Sequence, residues 1–330
     1  MTFSYYDLKP QNTIMRPQLM LSLTALAGTT FAQSTTQLYN FTSSTAIENS
    51  ALRPNGHLLL TTFNKGRLYT LNPSTPNPQA ELVTALPGAT AICGITAIDT
   101  DKFAIVGGVR GSYHYDNETL YTVDFSNNAA NPIVNIVAHI PDAYMLNGIA
   151  SLPLQPHIVL IADSRLGSLF RVDTLTGVSK NVFTNRALAA STNASIPIGI
   201  NGLKIIGDNV YFTNSALNIF AKIPVSDDGM RFGRVEIIAR LSAGTSGSDW
   251  DDFIIDASGT AYIAQPENSL ARITPDGVYS VVAGGSDTLD LIGPTSVQLA
   301  PGGKVAYVTT RGGEMGGYTY GGQVVAVKLG

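Results

Sequence analysis

The stretch that decides the fold is residues 200–225, which read INGLKIIGDNVYFTNSALNIFAKIPV. It divides into three short apolar runs, and the turn residues Gly207, Asp208 and Asn209 separate the first two. Apolar runs of this length, bounded by Gly, Asp and Asn, are typical of antiparallel strands joined by tight turns. The first run opens on Asn201-Gly202. An exposed hairpin has no need of that asparagine, whereas a strand that begins at a shared central cavity can use it.

Units of the same kind recur along the chain. Each has a polar or small opening, a short strand, a turn, a stronger strand, a second turn and a third strand. The openings lie near residues 48, 94, 147, 201, 251 and 294, with spacings of 46, 53, 54, 50 and 43 residues. Repeats of roughly 40–50 residues with four strands each predict a β-propeller. Six openings predict six blades.

The fourth strand of each unit is weaker than the others but can be recognised. Fourth strands are predicted at residues 80–85, 132–140, 178–184, 234–241 and 278–283. The sixth unit ends at residues 324–329 with no strand after it, while residues 36–41 precede the first blade. We therefore expect residues 36–41 to pair beside 324–329 and close the ring. The predicted fold is all-β: one six-bladed β-propeller domain, residues 35–330, with four antiparallel strands per blade.

Residues 1–34 are predicted to be an upstream leader and a secretory signal peptide. Arg16 provides a basic start, residues 19–26 an apolar core, and Ala32 lies in a small-residue exit. Because the basic start lies at Arg16, Met15 is a better candidate initiator than Met1. A flexible leader without a targeting role is the alternative. The interpretation places the protein in the secretory pathway or outside the cell.

Composition limits the partners of the protein. The net charge is −4 and charged residues make up 13% of the chain, so no basic surplus favours nucleic acid. No stretch approaches the ~20 apolar residues that a membrane span needs. The single cysteine, Cys93, is expected to be a small buried residue. N-glycans are expected at the three Asn-X-Ser/Thr sites, Asn40, Asn117 and Asn193.

The inner strands of a propeller line its central channel, so the openings of the blades can be compared with one another. They supply Glu48, Asn147, Asn201 and Asp251. Two carboxylates and two amide oxygens on one axis form an all-oxygen set that suits calcium or magnesium. Asn-Gly and Asp-Asp at strand ends also serve as turn residues, which is the alternative explanation for each.

At these four residues the chain resembles the senescence marker protein/gluconolactonase/strictosidine-synthase-like superfamily of six-bladed propellers. The resemblance covers residues 36–330, and it includes a fungal secreted branch that reads ENxAxRPNG, LNGxA, DDFxxD and GPTS. It implies that Glu48, Asn147, Asn201 and Asp251 hold one divalent metal.

The chain departs from the usual Pro-Asp-Gly of that family at Trp250-Asp251-Asp252. This leaves open which of the two aspartates faces the axis, and it places an indole ring at the expected cavity wall. We predict Tyr113, His114, Trp250 and Asp252 as catalytic residues.

Aromatic and methionine residues concentrate in the strand openings and in two long loops, residues 109–119 and 311–320. Such walls suit a large apolar small molecule held by few polar contacts, whereas a sugar lactone calls for more polar groups. Some of these rings are expected to pack between blades instead. The predicted substrate-binding residues are Tyr115, Tyr144, Met145, Phe253, Met315, Tyr318 and Tyr320.

Three functions remain open. The resemblance extends to hetero-Diels–Alderases, which join a tropolone quinone methide to a macrocyclic terpene such as humulene and need no cofactor. A divalent-metal-dependent lactonase or esterase would use the same central residues, so the motifs alone do not separate the two. A non-catalytic binding propeller is the third. The aromatic rim and Trp250 favour the first.

Overall fold

The computed structural model describes Met1 and residues 34–42, 45–241, 249–286 and 288–330. The leader predicted at residues 1–34 therefore lies, apart from Met1 and Ser34, outside the described residues. The chain divides into a unit of residues 1–31 and a unit of residues 32–330, and the strands of the described residues lie in the second. None of the described residues forms a helix that could cross a membrane.

The strands form six four-stranded antiparallel sheets, one per blade, as predicted. The strand β1 (Thr35–Asn40) precedes the first blade. Blade one contains β2 (Ile47–Leu52), β3 (Leu58–Thr62), β4 (Arg67–Leu71) and β5 (Ala80–Ala85). Blade two contains β6 (Ala91–Asp99), β7 (Lys102–Arg110), β8 (Tyr115–Asp124) and β9 (Ile133–His139). Blade three contains β10 (Leu146–Leu152), β11 (Gln155–Asp163), β12 (Ser168–Asp173) and β13 (Ser179–Thr184).

The second half of the ring repeats this order. Blade four contains β14 (Ile200–Ile206), β15 (Asn209–Asn214), β16 (Ile219–Pro224) and β17 (Glu236–Arg240). Blade five contains β18 (Phe253–Ile255), β19 (Ala261–Gln265), β20 (Ser269–Ile273) and β21 (Tyr279–Gly284). Blade six contains β22 (Pro294–Leu299) and β23 (Val305–Thr310), then the small hairpin β24 (Gly313–Met315) and β25 (Tyr318–Tyr320), and then β26 (Gln323–Lys328).

The ring closes through the N-terminal strand. β1 pairs antiparallel with β26, with Thr35 opposite Val327 and Asn40 opposite Gln323. The order of the last sheet is β1-β26-β23-β22, so the first strand in the chain is the outermost strand of the sixth blade. This confirms the predicted closure to within one residue at each strand end.

The hydrophobic core is divided among the seams between blades. Each of six buried clusters joins two consecutive blades, and the last joins blade six to blade one. On β3, Leu58 and Leu60 face the seam with blade six, while Leu59 faces the seam with blade two. Successive strand residues point to opposite faces, so a blade buried on both faces needs a continuous apolar run.

Glycines on three inner strands let neighbouring blades approach closely. A Cβ built on Gly94 would lie 2.2 Å from the carbonyl oxygen of Asn147, and one on Gly148 would lie 2.3 Å from that of Asn201. A Cβ on Gly202 would lie 2.7 Å from Asp252 Cα. Each glycine thus packs directly against the opening of the next blade. The Gly of each Asn-Gly pair brings the polar openings together around the axis.

Candidate functional site

A central cavity of about 320 Å³ lies where the inner strands converge. All six blades contribute to its lining. The polar openings of four blades meet there, and we call Glu48, Asn147, Asn201 and Asp251 the cavity floor. The structure thus brings the four predicted metal ligands into one cavity.

Three oxygens of the cavity floor have no hydrogen-bond partner among the described residues. They are Glu48 Oε2, Asn147 Oδ1 and Asp251 Oδ1, and all three atoms are buried. Leaving a buried polar atom unpaired costs about 1–3 kcal/mol, so native structures rarely do so without a ligand, water or ion. The three oxygens therefore make the cavity floor a candidate binding site.

Two serines orient the amides of the cavity floor. Asn147 Nδ2 donates to Ser164 Oγ at 3.2 Å, and Asn201 Nδ2 donates to Ser215 Oγ at 3.0 Å. The two hydroxyls in turn donate to the backbone carbonyls of Ile200 and Trp250, at 2.6 and 2.9 Å. With its nitrogen held in this way, the Asn147 amide leaves its oxygen for the cavity, and that oxygen has no hydrogen-bond partner among the described residues. Outer partners of this kind are what orients the ligands in metal sites.

The donor set of the floor fits a hard divalent cation. Two carboxylates and two amides supply only oxygen ligands, which calcium and magnesium prefer. The part of the chain that the structure describes holds no group of three or more His, Cys, Asp or Glu side chains that could bind a metal. Any cation on the floor would therefore depend on the amide oxygens of Asn147 and Asn201 in addition to Glu48 and Asp251.

Burial perturbs both floor carboxyls. Burial, and then the charges of Asp251 and Asp252, raise the pKa of Glu48 well above its usual value. Burial, and then the charge of Asp252, raise the pKa of Asp251 to about 8. In the absence of a cation these acids favour the protonated form near neutral pH, and a cation would favour their ionisation.

Of the two adjacent aspartates, Asp251 is the one that lines the cavity. The side chain of Asp252 is only 2% exposed, lies outside the cavity lining, and accepts from Lys204 Nζ at 2.6 and 2.8 Å. It also accepts from Ser296 Oγ at 3.2 Å. The question that the sequence left open is thus answered in favour of Asp251, and the predicted catalytic residue Asp252 is not brought to the cavity, because consecutive side chains of an extended chain point in opposite directions.

Trp250 and Phe253 also lie outside the cavity lining, and their predicted places on its wall are wrong. Both side chains are fully buried in the cluster between blades four and five. Trp250 Nε1 donates to Gln265 Oε1 at 3.3 Å, and the Phe253 ring meets the edge of Phe220 at 5.1 Å. Burial of these large rings in the seam contributes more to folding than exposure in a cavity would.

The loop that begins blade two's third strand forms one wall of the cavity. Tyr113, His114 and Tyr115 line it together with Met145. Tyr113 is 41% exposed and has a φ of 55°, whereas Tyr115 is buried. Cys93 is buried as predicted, and its Sγ donates to Tyr115 Oη at 3.3 Å.

The remaining predicted substrate contacts lie away from the central cavity. Tyr144 lines a neighbouring cavity of about 310 Å³, and Tyr320 lines a side cavity of about 540 Å³. Met315 and Tyr318 line neither the central nor the side cavity, and Tyr318 is 71% exposed. The expectation that these four residues form the rim of the central cavity is wrong. Three of the four belong to the β24–β25 hairpin, which the aromatic pattern could not position.

Sequence reasoning missed the residues at the end of the second strand in five of the six blades. Arg110 is the last residue of its strand, and the cavity-lining residues that directly follow the strand in the other four blades are Phe63, Ser215, Pro266 and Arg311. Arg110 and Arg311 lie near the start of the two long loops, residues 109–119 and 311–320, that the sequence does indicate. Their equivalent positions in the two blades could therefore have identified both arginines as candidate site residues.

No family model matches the chain. A candidate hetero-Diels-Alderase from Phoma sp is 29% identical, and the match covers 78% of this chain and 80% of the relative. A candidate hetero-Diels-Alderase from Sarocladium schorii is 28% identical over 82% of this chain and 77% of the relative.

Solved propeller structures match the fold. A luciferin-regenerating enzyme superposes with a TM-score of 0.65 at 13% identity, covering 90% of this chain and 95% of that one. A gluconolactonase from Xanthomonas campestris has a TM-score of 0.62 at 10% identity, covering 90% of each chain. The calcium-binding protein regucalcin from Agrobacterium tumefaciens has a TM-score of 0.58 at 17% identity, covering 90% of this chain and 95% of that one. The expected resemblance to gluconolactonase-type propellers is confirmed, and at these identities it concerns the fold alone.

Proposed function

We propose that this protein is an enzyme of the hetero-Diels–Alderase type, which couples a quinone methide to a terpene alkene in its central cavity. The observation that carries the proposal is its similarity, over most of the chain, to two relatives that bear that name. The cavity supports it with a wall that includes Phe63, Tyr113, Tyr115, Met145 and Ile198.

A concerted cycloaddition places few chemical demands on the protein. It transfers no proton and needs no nucleophile, so the protein contributes by holding the two reactants in attack geometry and by stabilising charge on the enone oxygen. Orientation can supply up to about 7–11 kcal/mol of the barrier. One well-placed hydrogen-bond donor adds roughly 3–4 kcal/mol. The apolar side chains of the cavity wall can orient the two reactants, and its polar side chains can donate the hydrogen bond.

Tyr113 is the first candidate for the polarising donor. It lines the cavity, is partly exposed, and its hydroxyl forms no hydrogen bond with the described residues. His114 lines the cavity beside it, with Nδ1 3.2 Å from the carbonyl oxygen of Ser112. The Tyr113 hydroxyl is therefore free to donate to a substrate oxygen, and Arg110 in the same loop is a second cavity-lining donor.

A second function is favoured by the unpaired oxygens of the cavity floor. The floor would hold calcium or magnesium through Glu48, Asn147, Asn201 and Asp251, and the bound ion would supply a Lewis acid that polarises a carbonyl and activates water. That chemistry is the basis of a metal-dependent lactonase or esterase. The pericyclase proposal needs no cofactor, so a cation there would serve the ring structure instead. A non-catalytic binding propeller is the remaining alternative.

The experiment that separates these functions assays the purified protein, with and without a chelator, on two substrate sets. One is a quinone-methide precursor with humulene, and the other is a panel of lactones. We expect coupling that persists in chelator and falls roughly 10²–10³-fold in Tyr113→Phe. Tyr318→Phe is the matched control, because Tyr318 is exposed and lies outside the cavity lining. Lactone hydrolysis that disappears with the chelator, without coupling, contradicts the proposal.

We also propose that the protein is secreted and carries N-glycans. Asn40, Asn117 and Asn193 all lie exposed in the structure, which supports their use as glycan sites. Mass spectrometry of the protein secreted from a eukaryotic host tests both parts.

A further inference from the structure

The central cavity adjoins the side cavity of about 540 Å³. Phe63, Arg110, Pro266 and Arg311 line both, so these residues form the junction between them. Arg110 ends β7 and Arg311 follows β23, which are the second strands of blades two and six. Two cationic side chains therefore meet a ligand that enters either cavity.

Neither arginine has an anionic partner in the part of the chain that is described. No carboxylate there lies within 4.0 Å of either guanidinium, although five other basic side chains form such contacts. The charges of the two arginines reach the cavity floor, where they lower the pKa values of Glu48 and Asp251 against the larger effect of burial. The guanidinium donors themselves remain available.

Packing holds both side chains at the junction. The Arg110 guanidinium lies over the ring of Phe63, with Cζ 4.1 Å from the ring centroid. The stem of Arg311 rests on Gly293, where a Cβ would come within 2.8 Å of Arg311 Cγ and 3.0 Å of Nε. Phe63 covers only the face of the Arg110 guanidinium, and Gly293 contacts the stem of Arg311. The edges of the two guanidinium groups, which carry the N–H donors, therefore remain free.

We propose that Arg110 and Arg311 form an oxyanion site at this junction, which binds a planar organic ligand through a carbonyl, enolate or carboxylate oxygen. Guanidinium donors give charge-assisted hydrogen bonds to such oxygens, and the charge is present at every physiological pH. The binding site does not depend on the coupling chemistry, whereas the identification of its ligand as the heterodiene rests on the proposed function.

In that coupling the site has a defined role. The C=C–C=O heterodiene and the alkene exchange three π bonds for one π bond and two new σ bonds, one C–C and one C–O, and no atom is lost or gained. Electron density on the heterodiene oxygen rises before the C–O bond forms, and the two arginines stabilise it there. The oxygen-bearing partner then lies in the central cavity with its oxygen at the junction, and the alkene lies in the side cavity.

The first test measures binding of 2-naphthoate, a planar aromatic carboxylate, to the full chain in the presence of chelator, so that a bound cation cannot hold the probe. We expect calorimetric binding that weakens about tenfold or more in Arg110→Met and in Arg311→Met, which keep the packing of the stem but lose the donors. Naphthalene, which has the same ring system but no oxygen acceptor, should bind the wild type and both variants alike. Arg240→Met is the matched control, because Arg240 is exposed on β17 and, among the described residues, its side chain donates only to the carbonyl oxygen of Leu217.

The second test measures coupling by the same proteins. We expect kcat to fall in both Met variants while KM for the alkene stays within about twofold, and Arg→Lys at either position to retain part of the rate. Absent 2-naphthoate binding, or binding that neither Met substitution weakens, overturns the oxyanion site. Binding that weakens as expected in a protein that couples no heterodiene leaves the site standing and removes the proposed function instead.

Discussion

Asp251 and Asp252 are neighbours in the chain, as are Glu48 and Asn49, yet the two side chains of each pair lie in different environments. Asp251 and Glu48 each present a buried oxygen with no partner among the described residues. Asp252 is bonded to Lys204 and Ser296, and Asn49 Oδ1 accepts from Ser296 Oγ at 3.0 Å. The bonded residues form a second set, which we call the inner belt: Asn49, Lys204, Asp252 and Ser296. Asn49 and Asp252 each lie one position after a floor residue, and Lys204 lies three positions after Asn201.

The two sets differ in what their burial achieves. The inner belt links blades four, five, six and one through satisfied polar contacts, so it stabilises the closed ring. The cavity floor leaves oxygens unpaired, which lowers stability and provides ligand-binding capacity instead. The difference arises from the alternation of side chains along an extended strand, which sends adjacent polar residues to opposite sides.

The largest expected effect separates the two aspartates directly. Asp252→Asn removes the charge that pairs with Lys204 and should lower the free energy of unfolding by about 3–5 kcal/mol, because it breaks a largely buried ion pair. Asp251→Asn, the same change one residue earlier, should leave stability in chelator unchanged or slightly higher. Urea denaturation of both variants measures this difference, and equal losses would mean that floor and belt do not differ as described.

A smaller effect concerns pH in the metal-free protein. The folded-state pKa of Asp251 is about 8 against an ordinary value of 3.8. Since the folded state holds this proton more tightly than the unfolded state, the stability from this group is complete below about pH 4 and is lost as the pH rises through about 8. Denaturation in chelator across this range should show a steeper fall for the wild type than for Asp251→Asn.

Four other acids influence the same measurement. Burial raises the pKa values of Glu48, Glu118, Asp249 and Glu267, that of Glu118 to about 9, so all four add a fall of the same sign. The informative quantity is therefore the difference between wild type and Asp251→Asn. Parallel stability curves for the two proteins would contradict the assignment of Asp251 to the floor.

The smallest expected effect tests how the floor is oriented. Ser164→Ala removes the hydroxyl that holds the Asn147 amide and should weaken calcium binding about tenfold, while stability falls by about 1 kcal/mol. Ser168→Ala is the matched control, because Ser168 Oγ is buried without a partner among the described residues, so its loss should not weaken calcium binding. Calorimetric titration of both variants with calcium checks the prediction, and equal affinities would exclude this role of Ser164.

Much of the fold was predictable because it depends on local patterns. Short apolar runs between turn residues, repeated at a regular period, define strands and blades without knowledge of any contact. The closing pair β1–β26 followed from counting, since the sixth unit lacked one strand. The polar openings of the blades were equally visible, and the four floor residues do share one cavity.

The remainder of the site could not be predicted from these patterns. Trp250 and Phe253 were placed on the cavity wall because they are aromatic residues at a strand opening, but the seam between blades four and five buries both. Tyr318 was placed there for the same reason, and a surface hairpin carries it away. An aromatic residue suits a seam, a cavity and a hairpin equally, so its type alone does not identify its environment.

The sequence by itself determined the six blades, the closing strand and the polar residues that open the inner strands, because each of these depends on periodicity or on position within a repeat. Only the tertiary structure decided which of two adjacent aspartates lines the cavity, and which residues of distant blades meet. Arg110 and Arg311 are separated by most of the ring in sequence, and their common cavity exists only because blade six closes beside blade one. Strand register and ring closure set these contacts, and both depend on packing between segments that are remote along the chain.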